Sequence, residues 1–152
     1  HAGPERPRVL NLFAYTGAAS LIAAHAGAEV VHVDASKKAI AWAKENQVAS
    51  KLTEAPIRWM LDDARKFVQR EVRRNRRYDI ILIEGAVPEV PTAIADQLAE
   101  GGRLATVIAD PSGALGVAHL FVKQGGGVSG RPLFDAGTPS LPGFERPARF
   151  TF

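Results

Sequence analysis

The chain has 152 residues, 46% of them hydrophobic, and a formal net charge of +3, which is one domain's length with enough apolar material for a core on each face of a sheet. It contains no cysteine, so a disulfide framework and a thiolate metal site are excluded, and a cytoplasmic address is expected. No apolar run reaches the roughly 20 residues of a bilayer span, and the opening HAGPERPR lacks the apolar centre of a signal peptide, so no membrane role is expected.

Residues 9–17, VLNLFAYTG, open the fold. An apolar run with one polar residue, Asn11, breaks at Tyr15-Thr16-Gly17 and passes into the alanine-rich stretch 18–26. That is the pattern of a buried strand, a tight turn and a helix. The next apolar run, 29–33, ends in Asp34, which places a carboxylate at the carboxyl edge of a neighbouring parallel strand, beside the turn that carries Gly17. Open parallel sheets bind nucleotides at that edge. The helix beginning near Gly17 offers unpaired N–H groups, and Asp34 can accept hydrogen bonds from two ribose hydroxyls. A nucleoside-containing cofactor is therefore expected.

Ser36 reads as the N-cap of a second helix reaching about Lys51, with Ala39, Ile40 and Ala43 toward the sheet. After Pro56, residues 57–61 form a third strand, and Asp62-Asp63 lead into an amphipathic helix to about Arg73 with Ala64, Phe67, Val68 and Val72 as its apolar stripe. Residues 78–83, YDIILI, read as a strand buried on both faces. The segment with Pro88 and Pro91 opens a helix to about Leu98, closed by Glu100-Gly101-Gly102, and 103–109 form a fifth strand. From Asp110 the pattern changes. Two strand-like runs, 115–122 and 128–134, flank Gly125-Gly126-Gly127 with no helix between them, which predicts an antiparallel hairpin. The Pro-rich tail to Phe152 is expected to add a last edge segment.

The histidines His1, His25, His32 and His119 show no metal-ligand spacing; no metal is expected, and His32 reads as a strand residue. Arg65, Lys66, Arg70, Arg73, Arg74, Arg76 and Arg77 cluster in sequence without interleaved aromatics, so they read as a solvated face with weak, non-specific affinity for RNA at most. Trp42 and Trp59 read as packing residues.

A dinucleotide fold would want G-x-G-x-x-G after its first strand, and this turn offers Gly17 alone, so NAD is disfavoured. One glycine in the turn, an acid seventeen residues later and a second acid pair after the third strand instead resemble the class I S-adenosylmethionine (SAM) methyltransferases. The resemblance implies a Rossmann-like α/β fold, a mostly parallel sheet with a C-terminal antiparallel hairpin, in a single domain over residues 1–152. It also implies roles for particular residues. Asn11 and the turn 13–17, with Phe13, Tyr15 and Gly17, border the methionine portion; Asp34 binds the ribose; Asp63 accepts from the adenine amino group, with the Ala64 N–H nearby.

The likeness is finer than the superfamily. VLNLFAYTGAAS, VHVDASKKAIAWAKEN and PIRWMLDDARKF resemble the ribosomal-RNA large-subunit methyltransferases, while DIILIEGAVPEVPTAIADQLAEGGRLATVI and GGGVSGRPLFDAGTPSLPGF resemble the C-terminal half of the protein-L-isoaspartate O-methyltransferases. The two meet within residues 78–83, a strand with the same role in both families, which suggests a recombined or engineered chain. The departures bear on function. The RNA family carries Asp-Pro-Pro after the fourth strand, where this chain has Glu84-Gly85-Ala86, and the isoaspartyl family holds its peptide with an N-terminal segment that this chain does not show ahead of its first strand. The expectation is thus a SAM-binding methyltransferase core whose transfer to RNA or an isoaspartyl protein is weak or lost, its catalytic residues unassigned. The alternative is an inactive cofactor-binding or structural scaffold. Where the families carry further structure, an exposed apolar face would pair this chain with a second copy as a homodimer or oligomer.

Overall fold

A computed structural model describes residues 5–144. His1 and the expected edge segment ending at Phe152 lie outside them. Seven strands and four helices follow in the order β1 (Arg8–Leu12), α1 (Ala18–His25), β2 (Glu29–Asp34), α2 (Lys37–Ala49), β3 (Ile57–Leu61), α3 (Ala64–Arg73), β4 (Tyr78–Val87), α4 (Thr92–Ala95), β5 (Leu98–Ile108), β6 (Gly116–Gln124) and β7 (Gly127–Ala136). They build one sheet in the order β3-β2-β1-β4-β5-β6-β7. Strands β1 to β5 run parallel, and β6 and β7 add the antiparallel hairpin that the glycine-punctuated runs predict. The chain steps outward from β1 to β3 and then crosses to the other side of β1 as β4. The reversal opens a crevice beyond the carboxyl ends of β1 and β4, the place where open α/β sheets take ligands.

Alternation along the strands fills both faces. Leu10 and Leu12 of β1 join Val33, Phe67, Val68, Ile81, Ile83 and Leu104 in the larger core, under α3 and α4. Val9 and Val30 point the other way, onto Ala24 and Ala28 around α1. The helices start where their caps dictate: the Ser36 hydroxyl accepts the Ala39 N–H at 3.2 Å, and the Asp63 carboxylate accepts the Lys66 N–H at 3.0 Å. Each such cap is worth about 1 kcal/mol.

Four expectations need correction. The buried stripe of α3 runs Ala64, Phe67, Val68 and Glu71, and Val72 is exposed. Glu71 is buried because the Tyr78 hydroxyl donates to it at 2.7 Å and Arg74 pairs with it at 3.3 Å. Strand β4 is not covered on both faces near its start, since Asp79 and Ile80 reach solvent, and it continues through Glu84-Gly85-Ala86 to Val87. The helix expected to reach Leu98 is a single turn, because the Leu98 backbone already pairs with Tyr78 as β5. Glu100-Gly101-Gly102 lies within that strand, and a side chain at Gly102 would press on the Ala99 and Asp79 carbonyls at 2.8 and 3.1 Å. Finally, Trp42 is 55% exposed on the outer side of α2, with Ile22 of α1 and Val48 also exposed. Trp59 does pack, its ring 4.7 Å from that of His32.

Candidate functional site

Every residue expected at the cofactor lies at or just behind the carboxyl edge of β1, β2, β3 and β4. The turn after β1 is tight and strained: Phe13 and Tyr15 both have positive φ, 55° and 49°, without being glycine. Such conformations cost of order 1–3 kcal/mol and persist where the surroundings hold them. Here Asp34 holds them, its Oδ2 accepting the Tyr15 N–H at 2.9 Å and its Oδ1 the Ser36 N–H at 2.8 Å. Gly17, at φ 86°, ends the turn and caps α1. A Cβ there would lie 3.2 Å from the Ala43 Cβ, so α2 approaches closely only because residue 17 has no side chain. The Asn46 side chain donates to the Thr16 carbonyl at 2.9 Å and fastens α2 to the same turn.

Two clefts open along this edge. The larger, about 870 Å3, is lined by Phe13, Tyr15, Asp34 and Glu84 with β5, β6 and β7 residues beyond. The smaller, about 160 Å3, is lined by Phe13, Asp34, Asp63, Ala64, Arg65 and Gly143. Phe13 and Asp34 therefore belong to both. After β7 the chain returns across the edge: the Ala86 N–H donates to the Pro139 carbonyl at 3.0 Å, and the Leu141 N–H to the Ala86 carbonyl at 2.9 Å. Arg65 donates to the Gly143 carbonyl at 3.2 Å, and the Phe144 ring meets that of Phe13 edge-on at 5.7 Å. Gly85 admits this strap, because a Cβ on it would lie 2.4 Å from the Leu141 side chain.

Asn11 lies behind the cleft wall, fully buried. Its Nδ2 donates to Ser20 Oγ at 3.0 Å and to Glu84 Oε1 at 2.9 Å, and Ser20 Oγ lies 2.8 Å from His32 Nδ1. Ser20 Oγ has lone pairs for both neighbours as well as a proton to give, so the contact with Nδ1 suits either tautomer of the ring. Burial pulls His32 down to about 4, against the Asp34 charge and the Tyr15 backbone, so the ring is neutral. Burial also raises the Glu84 carboxyl and the nearby Asp34 charge adds to the rise, while the Asn11 hydrogen bond opposes it. Sequence reading placed Glu84 in the region of chemistry but missed its bond to Asn11 and the roles of Ser20, His32 and the 138–144 strap. The alternation that marks Asn11 as an intruder in an apolar strand was the available signal.

The residues present suit a nucleoside: one acid shared by two clefts, two further acids, Asp62 and Asp63, at the smaller, and a turn held by Asp34 and Asn46. Among the described residues no cluster of His, Asp and Glu is placed to hold a metal ion, and no helix is long and apolar enough to cross a membrane.

Residues 7–133 match the family described as Protein-L-isoaspartate(D-aspartate) O-methyltransferase (PCMT). The chain belongs to that family. The family match runs through both halves of the chain, across the strand where two resemblances meet. The first half is also similar to the ribosomal RNA large subunit methyltransferase K/L of Shewanella oneidensis, 41% identical over 78 residues, which is 51% of this chain and 10% of that protein. Among solved structures, a SAM-dependent methyltransferase from Agrobacterium tumefaciens is 46% identical, with a TM-score of 0.64 over 71% of this chain and 40% of that one. A protein-L-isoaspartate O-methyltransferase is 25% identical, with a TM-score of 0.72 over 91% of this chain and 43% of the other. This PCMT-family chain has the Rossmann-like methyltransferase fold, and it spans about a tenth of the length of the curated relative and under half of either solved chain.

Proposed function

We propose that this chain is the cofactor-binding core of a SAM-dependent methyltransferase. The observation that carries the reading is the sharing of Asp34 and Phe13 between the two clefts. A ligand whose ribose bonds Asp34 extends one way to Asp63 and the Ala64 N–H, which suit adenine, and the other way past Tyr15 toward Glu84, which suits the methionine portion. Each Asp34 oxygen takes one backbone N–H and retains lone-pair capacity for a ribose hydroxyl. Gly17 acts by keeping the turn and α2 in place, and Asn11 acts through Glu84. When bound, SAM supplies a methyl group on a sulfonium, and what remains for the chain is to hold the acceptor in line with it.

On the acceptor side the chain departs from the RNA methyltransferases. Glu84-Gly85-Ala86, where those carry Asp-Pro-Pro, continues β4 and receives the 138–141 strap as its partner. Transfer to a ribosomal-RNA base by this chain is therefore weak. A scaffold that binds no cofactor is the second reading, favoured by one observation: Asp34 and Asp63 already serve as backbone caps. Calorimetric titration with SAM and with its demethylated product S-adenosylhomocysteine separates the two. Saturable heat with both, undisturbed by NAD, supports the cofactor core, and no heat with either leaves the scaffold.

A further inference from the structure

We propose that a second copy of this chain covers the outer half of the sheet, the two copies related by a two-fold axis along the strands, so that α1 of each lies on strands β4 to β7 of the other. The inference goes beyond the SAM reading and does not rest on it.

The two faces of the sheet are covered unequally. Leu10, Ile81 and Leu104 point to the side where α3 and α4 close over them. On the opposite side α1 and α2 pack on β1, β2 and β3. The register shows what continues that side outward. Val9, which packs on Ala24 of α1, pairs with Ile80, and the same side then runs through Arg103 to Val122 and through Leu82 and Ala105 to Leu120. Here Ile80 is 38% exposed, Phe134 at the rim is 65% exposed, and Leu82, Ala105, Leu120 and Val122 are only half-buried. A contiguous apolar face of this kind marks an interaction surface.

The helix beside it is apolar on its outer side as well. Helix α1 reads AASLIAAH, without Asp, Glu, Lys or Arg. Ser20, Leu21 and Ala24 face inward, yet Ile22 is 71% exposed. A surface helix carries charge on its outer side, and one that is apolar all round is normally buried. Trp42 extends the ridge. It stands one turn before Asn46, which reaches the Thr16 carbonyl, so it projects from α2 on the side toward α1.

A ridge and a bare floor on one face of one chain are self-complementary, which is what a two-fold interface requires. The four strands of the floor span about 19 Å, room for a helix of about 10 Å with Trp42 beside it. Ala19 lines the large cleft with Leu82 and Ala105, so α1 meets the floor through small side chains, and the two copies of α1 can lie close together at the axis. Floor and ridge each measure roughly 300 Å2 in plan, so two copies bury about 1,200 Å2 in all, the lower bound of a specific interface. Charge agrees with this placement. Helix α1 runs against the strands, so its last carbonyls, the negative end of its dipole, come over the amino end of the other copy's β5, where Arg103 is exposed.

The test is molar mass in solution. An interface of this size reaches roughly micromolar affinity, so sedimentation equilibrium of the 152-residue chain at about 50 µM should give twice the chain mass. Ile22→Lys and Ile80→Glu each set a charge in the apolar seam, and each alone should be monomeric. Mixed in equal amounts they should form a dimer again, because the lysine of one protein meets the glutamate of the other while the second half of the seam is unaltered. Circular dichroism and thermal midpoints show that each variant is folded, and Arg103→Glu, exposed on the same face, replaces Ile80→Glu if that protein is not. A monomer at that concentration overturns the inference and leaves the face to a different partner. A dimer that survives either substitution in a folded protein overturns it as well. Two monomeric variants whose mixture stays monomeric would mean helix against helix or sheet against sheet, and the proposed seating of α1 on the floor would be wrong.

Discussion

The Asp34 carboxylate holds the backbone of Tyr15, accepting its N–H at 2.9 Å across the gap between the ends of β1 and β2. One side chain thereby sustains the left-handed turn of Phe13 and Tyr15 and stands where both clefts meet. Replacing Asp34 with alanine removes the acceptor proposed for the ribose and loosens the turn together. Losing hydrogen bonds to a charged group costs roughly 1.5–3 kcal/mol, so SAM affinity should fall about 10- to 150-fold by calorimetry. Unchanged affinity in a folded Asp34→Ala protein would remove Asp34 from the site.

The buried histidine makes the fold sensitive to acid. In the unfolded chain His32 takes up a proton below about 6.5, whereas in the fold it resists protonation down to about 4. Between those values the unfolded state binds more protons, so the stabilisation is complete above pH 6.5, is lost as pH falls toward 4, and levels off below. A gap of that size corresponds to about 3 kcal/mol at most. His32→Gln keeps an acceptor for Ser20 without titrating, and urea denaturation from pH 7.5 to 4 should show a shallower decline for it. Parallel declines in the two proteins would show that carboxylates alone set the acid limit.

The alternating half of the chain was legible because period and punctuation agreed there: Ser36 and Asp63 cap the helices they precede, and Asp34 closes the strand before it. What escaped was non-local. Asn11 meets Glu84 from 73 residues away, a bond that no local pattern encodes. Glu71 fell outside the expected apolar stripe because its partner Tyr78 lies on the next strand, and Gly101-Gly102 imitated a helix end because glycine serves close backbone approach inside a strand as well. The site acids were visible as residues, but the bond that the Asp34 carboxylate accepts from the Tyr15 N–H, 19 residues away, was not.

The basic cluster should bind RNA only through phosphates. Arg70 is paired with Asp62, Arg74 with Glu71, and Arg65 reaches the Gly143 carbonyl, which leaves Lys66, Arg73, Arg76 and Arg77 as the exposed cations most available for phosphate. Four contacts to a single strand give a log–log salt slope near −3, at about −0.7 each. Filter binding with unrelated sequences should give one common affinity with that dependence. A single RNA bound tightly at high salt would revive a ribosomal-RNA substrate.

Cofactor binding and methyl transfer should come apart. The acids proposed for the nucleoside lie on β2 and at the start of α3, whereas Glu84, on the proposed acceptor side, lies on β4. Alignment of reactants supplies effective molarities of about 10⁵ M or more, so a chain without it can keep ground-state affinity and lose most of its rate. SAM affinity and tritiated-methyl transfer, measured on one preparation with a ribosomal-RNA fragment and an isoaspartyl peptide, should give binding with little turnover. Multiple turnovers on either, abolished by Asp34→Ala, would show that this core orients one of those acceptors after all.

The strap over the carboxyl edge rests on the absence of a side chain at Gly85. Its two backbone hydrogen bonds to Ala86 set the Leu141 side chain directly over Gly85, where a Cβ would come within 2.4 Å of it. Gly85→Ala should therefore push the strap off β4, at about 1–3 kcal/mol for an overpacked contact. Leu141→Ala removes the atoms that clash, so in that background the alanine at 85 should cost much less, with a coupling energy of about 1 kcal/mol or more between the two sites. Urea midpoints of the four proteins measure it. Because the strap walls both clefts through Leu141 and Gly143, SAM affinity should fall in Gly85→Ala and recover in part in the double variant. Strict additivity in both stability and affinity would mean that residues 138–144 lie elsewhere in solution and that the clefts are bounded by the sheet and helices alone.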